Sequence, residues 1–195
     1  QRGLYNAVKK VGKALHHDSL ESARDAVSHI VGRDPAQLDE HGVARAAIES
    51  LAENFGDGVV APVFWYVLFG FPGLLVYKAI NTMDSMIGHK SPKYRAFGFS
   101  AARIDDIVNI IPARLSAIFL CLAALIAPKA NALKGFKVMW RDAGKHRSPN
   151  AGWPEGAMAG ALGLALAGPR RYVDMVVKDP WMGDGTAKLT YVHIN

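Results

Sequence analysis

The sequence AAIESLAENFGDGVVAP, residues 46–62, joins a helix that carries acids to an uncharged apolar segment. Glu49 and Glu53 are four residues apart, so on a helix they lie one above the other on a single face. Two stacked carboxylates repel, which indicates that a positive group lies over this face, and Asp57 extends the acids into a glycine-flanked turn. The alternative is an exposed helix face on which Arg45 pairs with Glu49.

The segment that follows predicts a helical hairpin. Residues 58–77 are twenty residues without a charge, which at about 1.5 Å per residue is long enough to cross a bilayer core of ~30 Å. The sequence Gly-Phe-Pro-Gly at residues 70–73 is typical of a turn and divides the run. We therefore expect helices over residues 59–69 and 74–83 that dip into a membrane or pack in a bundle, with their open ends on one side.

Composition supports a membrane-associated protein. Half of the 195 residues are hydrophobic, yet the formal net charge is +6, a pairing that suits contact with phosphates or anionic lipid. No basic helix with stacking aromatic residues is present, so nucleic acid is not an expected partner.

The single cysteine, Cys121, excludes an internal disulfide and a thiolate metal cluster. A basic amphipathic helix over residues 4–15 either lies on a membrane surface or packs on its neighbours.

We therefore predict an all-α fold: a membrane-associated helical bundle with a helical hairpin and polar, motif-bearing loops on one side. Residues 1–195 are expected to form a single helical membrane domain that is part of a longer chain. A helix over residues 156–168 is also expected, in which Gly156 and Gly160 allow a neighbouring helix to pack closely.

Several polar segments supply candidate ligands. Asn81 and Asp84 share one helical face, and a basic loop follows them. Asp105 and Asp106 precede Asn109 by about one helical turn, a pattern that can hold Mg²⁺ against a phosphate. The alternative is a helix start whose acids are favoured by the helix dipole.

Taken together, these blocks resemble the adenosylcobinamide-phosphate synthase family, the cobalamin-biosynthesis membrane proteins known as CobD or CbiB. The resemblance covers residues 20–185 and rests on ordered blocks. They are ESLAEN (49–54), DGVVAP (57–62), NTMDSMIG (81–88), Asp105-Asp106 with Asn109, PAR (112–114), HRSPNAG (146–152) and MAGAL (158–162).

The resemblance implies ATP-dependent formation of an amide between a corrinoid carboxylate and aminopropanol phosphate or a related amino alcohol, with ATP and Mg²⁺ as cofactors. Phosphoryl transfer is catalysed mainly by Mg²⁺ and cationic groups on the phosphate oxygens. We assign the catalytic roles to Glu49, Glu53, Asp84, Asp106 and His146, with Glu49 or His146 accepting the amine proton. The predicted Mg²⁺ ligands are Glu53, Asp57, Asp84, Asp105 and Asp106. The predicted ATP- and phosphate-binding residues are Asn54, Asn81, Lys90, Arg103, Asn109, Arg114, Arg147, Ser148 and Asn150.

The expected location is the cytoplasmic membrane, with several passes and an active site that faces the cytosol, where ATP is available. Expected partners are the corrinoid and amino-alcohol phosphate substrates, the lipid bilayer and other enzymes of the cobalamin pathway. Two alternatives stay open: a membrane prenyl- or phosphotransferase that binds a diphosphate through Mg²⁺, and a non-catalytic membrane scaffold of the same ancestry.

Overall fold

The computed structural model describes residues 2–32, 34–88, 95–172 and 175–194, and most of these residues are helical. A π-helical segment, Gly56–Val60, joins the third helix to the fourth. Short 3-10 helices cover Ala143–Lys145 and Tyr191–His193. The α-helices are α1 (Arg2–His17), α2 (Leu20–Ser28), α3 (Glu40–Phe55), α4 (Ala61–Ile87), α5 (Arg95–Val108), α6 (Ile110–Ala123), α7 (Ala132–Asp142) and α8 (Gly152–Leu162), and the strands are β1 (Leu166–Tyr172) and β2 (Met175–Met182).

Helices α1, α2 and α3 pack around an aliphatic core in which Val11, Val27 and Val43 are fully buried. The Ser19 side chain begins α2 by accepting a hydrogen bond from the Ser22 N–H at 3.2 Å, a cap that contributes about 1 kcal/mol. The predicted basic amphipathic helix is α1. It turns its apolar face towards α2 and α3 and leaves its lysines exposed, so packing on neighbours is the alternative that the structure adopts.

Helix α4 is a hairpin that reverses at Gly70. This glycine has φ +64° and ψ −154° between helical neighbours, a conformation that the absence of a Cβ makes accessible. The Tyr77 hydroxyl lies 3.0 Å from the carbonyl oxygen of Asp57, twenty residues earlier, whereas a straight helix would separate them by about 30 Å. The predicted hairpin is therefore confirmed, although its second arm extends to Ile87.

The outer surface of the hairpin is apolar and exposed. Val67, Phe69 and Phe71 near the turn are 74%, 62% and 61% exposed. By length and hydropathy, one helical stretch among the described residues, 40–87, could cross a membrane, and α5 with α6, bent by 51°, would be a second if counted as one span. Because the first stretch reverses at Gly70, its geometry fits a hairpin that enters a membrane better than a straight crossing.

Helices α6, α7 and α8 pack closely because small residues face one another. A Cβ at Gly160 would meet the carbonyl oxygen of Lys134, and one at Gly156 would lie 3.1 Å from the Met139 Cα. The expected role of these two glycines in close packing is confirmed. Cys121 is buried in the same region, against Met139 among others.

Helix α8 ends earlier than the sequence predicts. Gly163 adopts φ +66° and closes the helix after Leu162, as expected for a left-handed C-terminal glycine. Strands β1 and β2 then form a two-stranded antiparallel sheet with a bulge between Ala167 and Pro169. The prediction of a helix up to residue 168 is wrong beyond Leu162, and the all-α expectation omits this sheet.

A charged cluster anchors the end of β2 to α7. Asp142 is fully buried and accepts hydrogen bonds from Arg141 at 2.7 and 2.6 Å and from the Gly183 N–H at 2.9 Å. Lys145 approaches it to 2.7 Å, and Arg141 also binds Asp184. The hydrogen bonds from Arg141, helped by Gly183 and Lys145, hold the pKa of Asp142 well below its usual range.

Candidate active-site cavity

Five carboxylates from four separate segments line one cavity of about 200 Å³. Helix α3, the π-helical segment and the second arm of α4 each provide one carboxylate, and α5 provides two. The sequence separates the first from the last by more than fifty residues, so their meeting depends on the fold. The acids are Glu53, Asp57, Asp84, Asp105 and Asp106.

The π-helical segment places Asp57 at the open end of the hairpin. Gly56 allows α6 to approach closely here, because a Cβ at this position would lie 3.3 Å from the Ser116 hydroxyl. π-Helical turns are rare and occur often at functional sites. The reversal at Gly70 then returns Asp84 to the same cavity.

A buried hydrogen-bonded chain links the hairpin to α5. Tyr77 is 1% exposed, and its hydroxyl lies 3.0 Å from the Asp57 carbonyl oxygen and 3.0 Å from Asn109 Oδ1. Asn109 Nδ2 donates to Asp105 Oδ2 at 3.0 Å. Tyr77 and Asn109 together therefore fix where Asp105 stands relative to the hairpin.

The opposite wall comes from the loop before α8 and the first turn of that helix. The Ser148 hydroxyl accepts from the N–H groups of Asn150 and Ala151, each at 3.2 Å. Asn150 is buried, and its Nδ2 donates to the Asp106 carbonyl oxygen at 2.7 Å. Ser148, Asn150, Ala151 and Pro154 all line the cavity. A helix N-terminus therefore faces the acids, an arrangement that favours a bound anion.

Two buried oxygen atoms of this cavity lack a hydrogen-bond partner. They are Asp105 Oδ1 and Asn150 Oδ1, and both are acceptors. A buried acceptor that stays unsatisfied costs about 1–3 kcal/mol. A bound cation or a hydrogen-bond donor would satisfy both atoms.

Burial and the neighbouring acids raise the pKa of Asp57. Burial is the main cause that raises this pKa, and the charges of Glu53, Asp105 and Asp84 raise it further, to about 8. Lys78 acts in the opposite direction. No Lys or Arg is among the described residues that line the 200 Å³ cavity, so a cation from solution would lower the electrostatic free energy there.

A second, larger cavity adjoins the first and shares three of its carboxylates. It has a volume of about 410 Å³. The shared groups are Glu53, Asp57 and Asp84, and its other polar lining residues are Asn54, Lys78, Asn81 and Ser85.

The oxygen donors suit Mg²⁺, although they are not arranged as a closed metal cage. Within the described ranges, no three His, Cys, Asp or Glu side chains are close enough to enclose a metal ion as they stand. Mg²⁺ keeps several waters and usually takes only one or two carboxylates, so a ring of acids around a wet cavity is sufficient. Asp105 and Asn150 line the cavity and supply oxygen atoms of the kind that Mg²⁺ takes as ligands.

The structure brings together most of the predicted ligands. The predicted residues that line one or both cavities are Glu53, Asn54, Asp57, Asn81, Asp84, Asp105, Asp106, Asn109, Ser148 and Asn150. Arg103 lies beside them, because its guanidinium is 3.7 Å from the Asp106 carboxylate.

Other predicted residues line neither cavity. The carboxylate of Glu49 accepts a hydrogen bond from the Ala167 N–H at 2.7 Å. Arg114 stacks on the Trp153 ring, 4.5 Å from its centre. Arg147 pairs with Asp179 at 2.7 Å, and His146 lies 3.6 Å from Glu155. These contacts are compatible with structural roles, and the catalytic and binding roles of these residues stay predictions.

Lys90 falls outside the described residues, so the structure does not test its position. The sequence interpretation missed Tyr77 and Lys78. Tyr77 is the last residue of the uncharged run and Lys78 follows it. The predicted hairpin brings this end of the run back beside Asp57, so the hairpin prediction could have identified both residues as neighbours of the acids.

The fold and its cavity define a helical protein with an apolar, exposed hairpin and a polar, acid-lined cavity at the hairpin's base. Comparison with known proteins gives the family. The family model described as CobD/Cbib protein matches residues 1–195, and the chain belongs to this family.

Curated relatives agree with the family match. The chain is 58% identical over 186 residues to "Cobalamin biosynthesis protein CobD" of Rhodobacter capsulatus, covering 95% of this chain and 57% of that protein. Proteins of the same name from Rhizobium meliloti and Brucella suis are 57% and 55% identical, over 94% and 93% of this chain and 57% and 56% of their own lengths. The chain thus spans a little over half the length of these relatives, and no solved structure matches it.

Proposed function

We propose that this chain carries the ATP- and Mg²⁺-binding site of an amide-forming ligase of cobalamin biosynthesis. The reaction joins the carboxylate of an adenosylated corrinoid to aminopropanol phosphate or a related amino alcohol. The names of the relatives support the pathway. One observation carries the site: five carboxylates from four segments meet in a cavity that also holds two unsatisfied buried oxygens.

The chemistry explains why such a site is needed. A carboxylate does not react with an amine at neutral pH, so one of its oxygens must first become part of a leaving group. Transfer of the γ-phosphoryl group of ATP to the carboxylate gives an acyl phosphate and ADP, and attack by the amine on the acyl carbon then forms the amide and releases phosphate and a proton. Mg²⁺ bound at the site would neutralise charge on the phosphate oxygens.

The residues divide this work by position. Asp105 and Asn150 are the first candidates to hold Mg²⁺, because each has a buried oxygen without a partner. Asp57 and Asp84 line both cavities and would accept hydrogen bonds from its water ligands. The start of α8, with Ser148, faces these acids and suits a phosphate oxygen.

Cationic side chains at the edge of the site would bind the remaining phosphate charge. Arg103 is close to Asp106 and 64% of its side chain is exposed, so it can turn towards a nucleotide. Lys78 lines the larger cavity beside Asn81 and is placed to contact the phosphate of the amino alcohol. Glu53 lines both cavities and could accept the amine proton.

The membrane setting is part of this proposal. The exposed apolar hairpin would enter the cytoplasmic membrane as one element of a multi-pass protein, with the cavity on the cytosolic side where ATP is present. The corrinoid, the lipid bilayer and other enzymes of the pathway are the proposed partners.

Binding of ATP with and without Mg²⁺ tests the site directly. We expect Asp105→Ala and Asp84→Ala to abolish Mg²⁺-dependent ATP binding and ATP-dependent product in the protein purified in detergent. Asp25→Ala is the matched control, because Asp25 is an exposed acid on α2. Near-normal binding and turnover in both cavity variants would remove the metal proposal, and absence of Mg²⁺-dependent ATP binding in the unmodified protein would favour a scaffold.

A prenyl- or phosphotransferase is the second candidate, and one observation favours it. An almost wholly apolar cavity of about 330 Å³, lined by Trp65, Phe69, Val76 and Tyr77 among others, lies in the hairpin. Tyr77 also reaches the acid site, so a lipid tail and a diphosphate could bind on its two sides. Product analysis with ATP, a corrinoid acid and an amino alcohol, against a prenyl diphosphate, distinguishes the two reactions.

A further inference from the structure

Helix α7 has an outer face that no described helix or strand covers. Leu133 and Trp140 on this face are 81% and 76% exposed, and Lys134 and Lys137 are exposed beside them. Their spacing along the helix puts all four side chains within about a third of the helix circumference. We call these four residues the α7 outer face.

The segment between α6 and α7 also exposes apolar side chains. Ile126, just after α6, is 90% exposed, and Leu125 is 68% exposed. The Trp140 and Trp153 rings pack edge to face with their centres 5.4 Å apart. The Trp140 indole is therefore held in position although most of it is exposed to solvent. Exposed Leu, Ile and Trp side chains gain free energy by entering the boundary between lipid headgroups and acyl chains.

The charge of the region is of one sign. Residues 107–141 contain no Asp or Glu and five basic residues, Arg114, Lys129, Lys134, Lys137 and Arg141. Arg141 is neutralised by Asp142 and Asp184, and Arg114 stacks on Trp153. Among the described residues, no ion pair engages Lys134 or Lys137, so their charge is available to a partner.

We infer that the α7 outer face is a docking surface for anionic phospholipid headgroups, with Leu133 and Trp140 in the interface and Lys134 and Lys137 on the phosphates. A short helix with apolar tips on one edge and lysines on the other fits the plane of a membrane surface. Each lysine near an anionic surface contributes about 1 kcal/mol to binding. The proposed function has the hairpin enter the membrane, and this inference partly rests on that proposal. It adds a second membrane-contacting surface and the class of lipid that this surface binds.

Partition of the 195-residue chain into two kinds of vesicle tests this surface. One kind is pure phosphatidylcholine, and the other contains about 30% phosphatidylglycerol. The chain is expected to bind the anionic vesicles about 10-fold more tightly, and 0.5 M NaCl should remove the difference by screening. Lys134→Gln/Lys137→Gln should reduce the preference to about 2-fold or less. Trp140→Ala should weaken binding to both kinds of vesicle.

The control is Lys9→Gln/Lys10→Gln, which removes the same charge from exposed positions on α1. Both lysine pairs are exposed, and unchanged thermal unfolding of the variants shows that they remain folded. If the unmodified chain binds both kinds of vesicle equally, the inference about the α7 outer face is wrong and the membrane entry of the hairpin is unaffected. The same holds if the control variant loses as much of the preference for anionic vesicles as the Lys134/Lys137 variant. No binding to either vesicle overturns the membrane entry of the hairpin and this surface with it.

Discussion

Two acid-rich regions of the molecule are built in opposite ways. At the end of α7, buried Asp142 is surrounded by Arg141, Lys145 and the Gly183 N–H, and its pKa is lowered. At the base of the hairpin, Asp57 stands among other carboxylates and its pKa is raised. In the first region the ion pairs and the hydrogen bond of Asp142 attach α7 to the end of β2. In the second region the acids repel one another, so binding of a cation there, as proposed above, would be favourable.

The comparison contrasts an acid that the fold pairs with basic groups and an acid that the fold places among other acids. The sequence already places basic residues beside Asp142, at Arg141 and Lys145, and only glycines beside Asp57. What differs is whether the fold supplies the positive partner or leaves that to solution. The predictions below test this difference, beginning with the largest expected effect.

Asp142→Asn should lower the free energy of unfolding by about 3 kcal/mol. The substitution removes one partner of a buried ion-paired group and leaves Arg141 and Lys145 facing a neutral amide. Chemical denaturation in detergent micelles measures the change, with Asp25→Asn as the control on an exposed acid. A loss below about 1 kcal/mol would show that the cluster is not a structural anchor.

The stability of the metal-free protein should fall as the pH rises from 5 to 8. The folded-state pKa of Asp57 is raised from 3.8 to about 8, so its contribution is fully present below about pH 4 and is lost as the pH rises through about 8. One proton corresponds to at most about 1.4 kcal/mol per pH unit. Asp142 has a lowered pKa, so its contribution is lost only in acid, as the pH falls below the usual carboxylate pKa.

Thermal unfolding at pH 5, 6.5 and 8 in a chelating buffer measures this slope, and added Mg²⁺ should flatten it. A metal-free protein that becomes more stable between pH 5 and 8 would contradict the crowding of acids at the hairpin base.

Asp57→Asn should stabilise the metal-free protein by about 1 kcal/mol at pH 8, which is opposite in sign to Asp142→Asn. The amide removes a charge that Glu53, Asp84 and Asp105 repel. The same variant should lose most of the thermal stabilisation that Mg²⁺ gives the unmodified protein. Destabilisation by more than about 1 kcal/mol would mean that Asp57 is a structural acid after all.

Tyr77→Phe should raise the dissociation constant for Mg²⁺ about 10-fold, because Tyr77 fixes Asn109 and thereby Asp105. Loss of a group that orients a metal ligand typically costs 10- to 100-fold in affinity. Titration of Mn²⁺ followed by electron paramagnetic resonance measures binding without turnover. Tyr66→Phe is the control, because Tyr66 lies on the same hairpin and is 54% exposed; equal effects of the two variants would exclude a positioning role.

The helical hairpin illustrates what a sequence can predict. A run of twenty uncharged residues with Gly-Phe-Pro-Gly inside it is strong local information, and Gly70 supplies the reversal that the pattern indicates. The end of α8 illustrates the limit. Small apolar residues continue past Leu162 without the alternation of a strand, and the sheet forms because Gly163 ends the helix and the β1–β2 pairing satisfies the backbone.

Some features of the candidate site could likewise be predicted from the sequence, and others could not. The acids and amides of the hairpin ends and of α5 were recognisable as ligands because carboxylates at helical spacing imply a partner. Glu49, four residues before Glu53, was recognisable by the same rule, yet it binds the Ala167 N–H and lines neither acid-lined cavity. Spacing on one helix cannot show which neighbour lies over each turn.

By itself the sequence determined most of the helices, the reversal of the hairpin and the acidic and amide side chains at its base, because these depend on residues that are near one another in the chain. Only the tertiary structure decided which acids share a cavity, that Asp142 is buried beside the Gly183 N–H, and that Tyr77 links the hairpin to α5. Those outcomes depend on contacts between residues tens of positions apart, because burial and the meeting of separate helices are properties of packing that a short stretch of sequence does not determine.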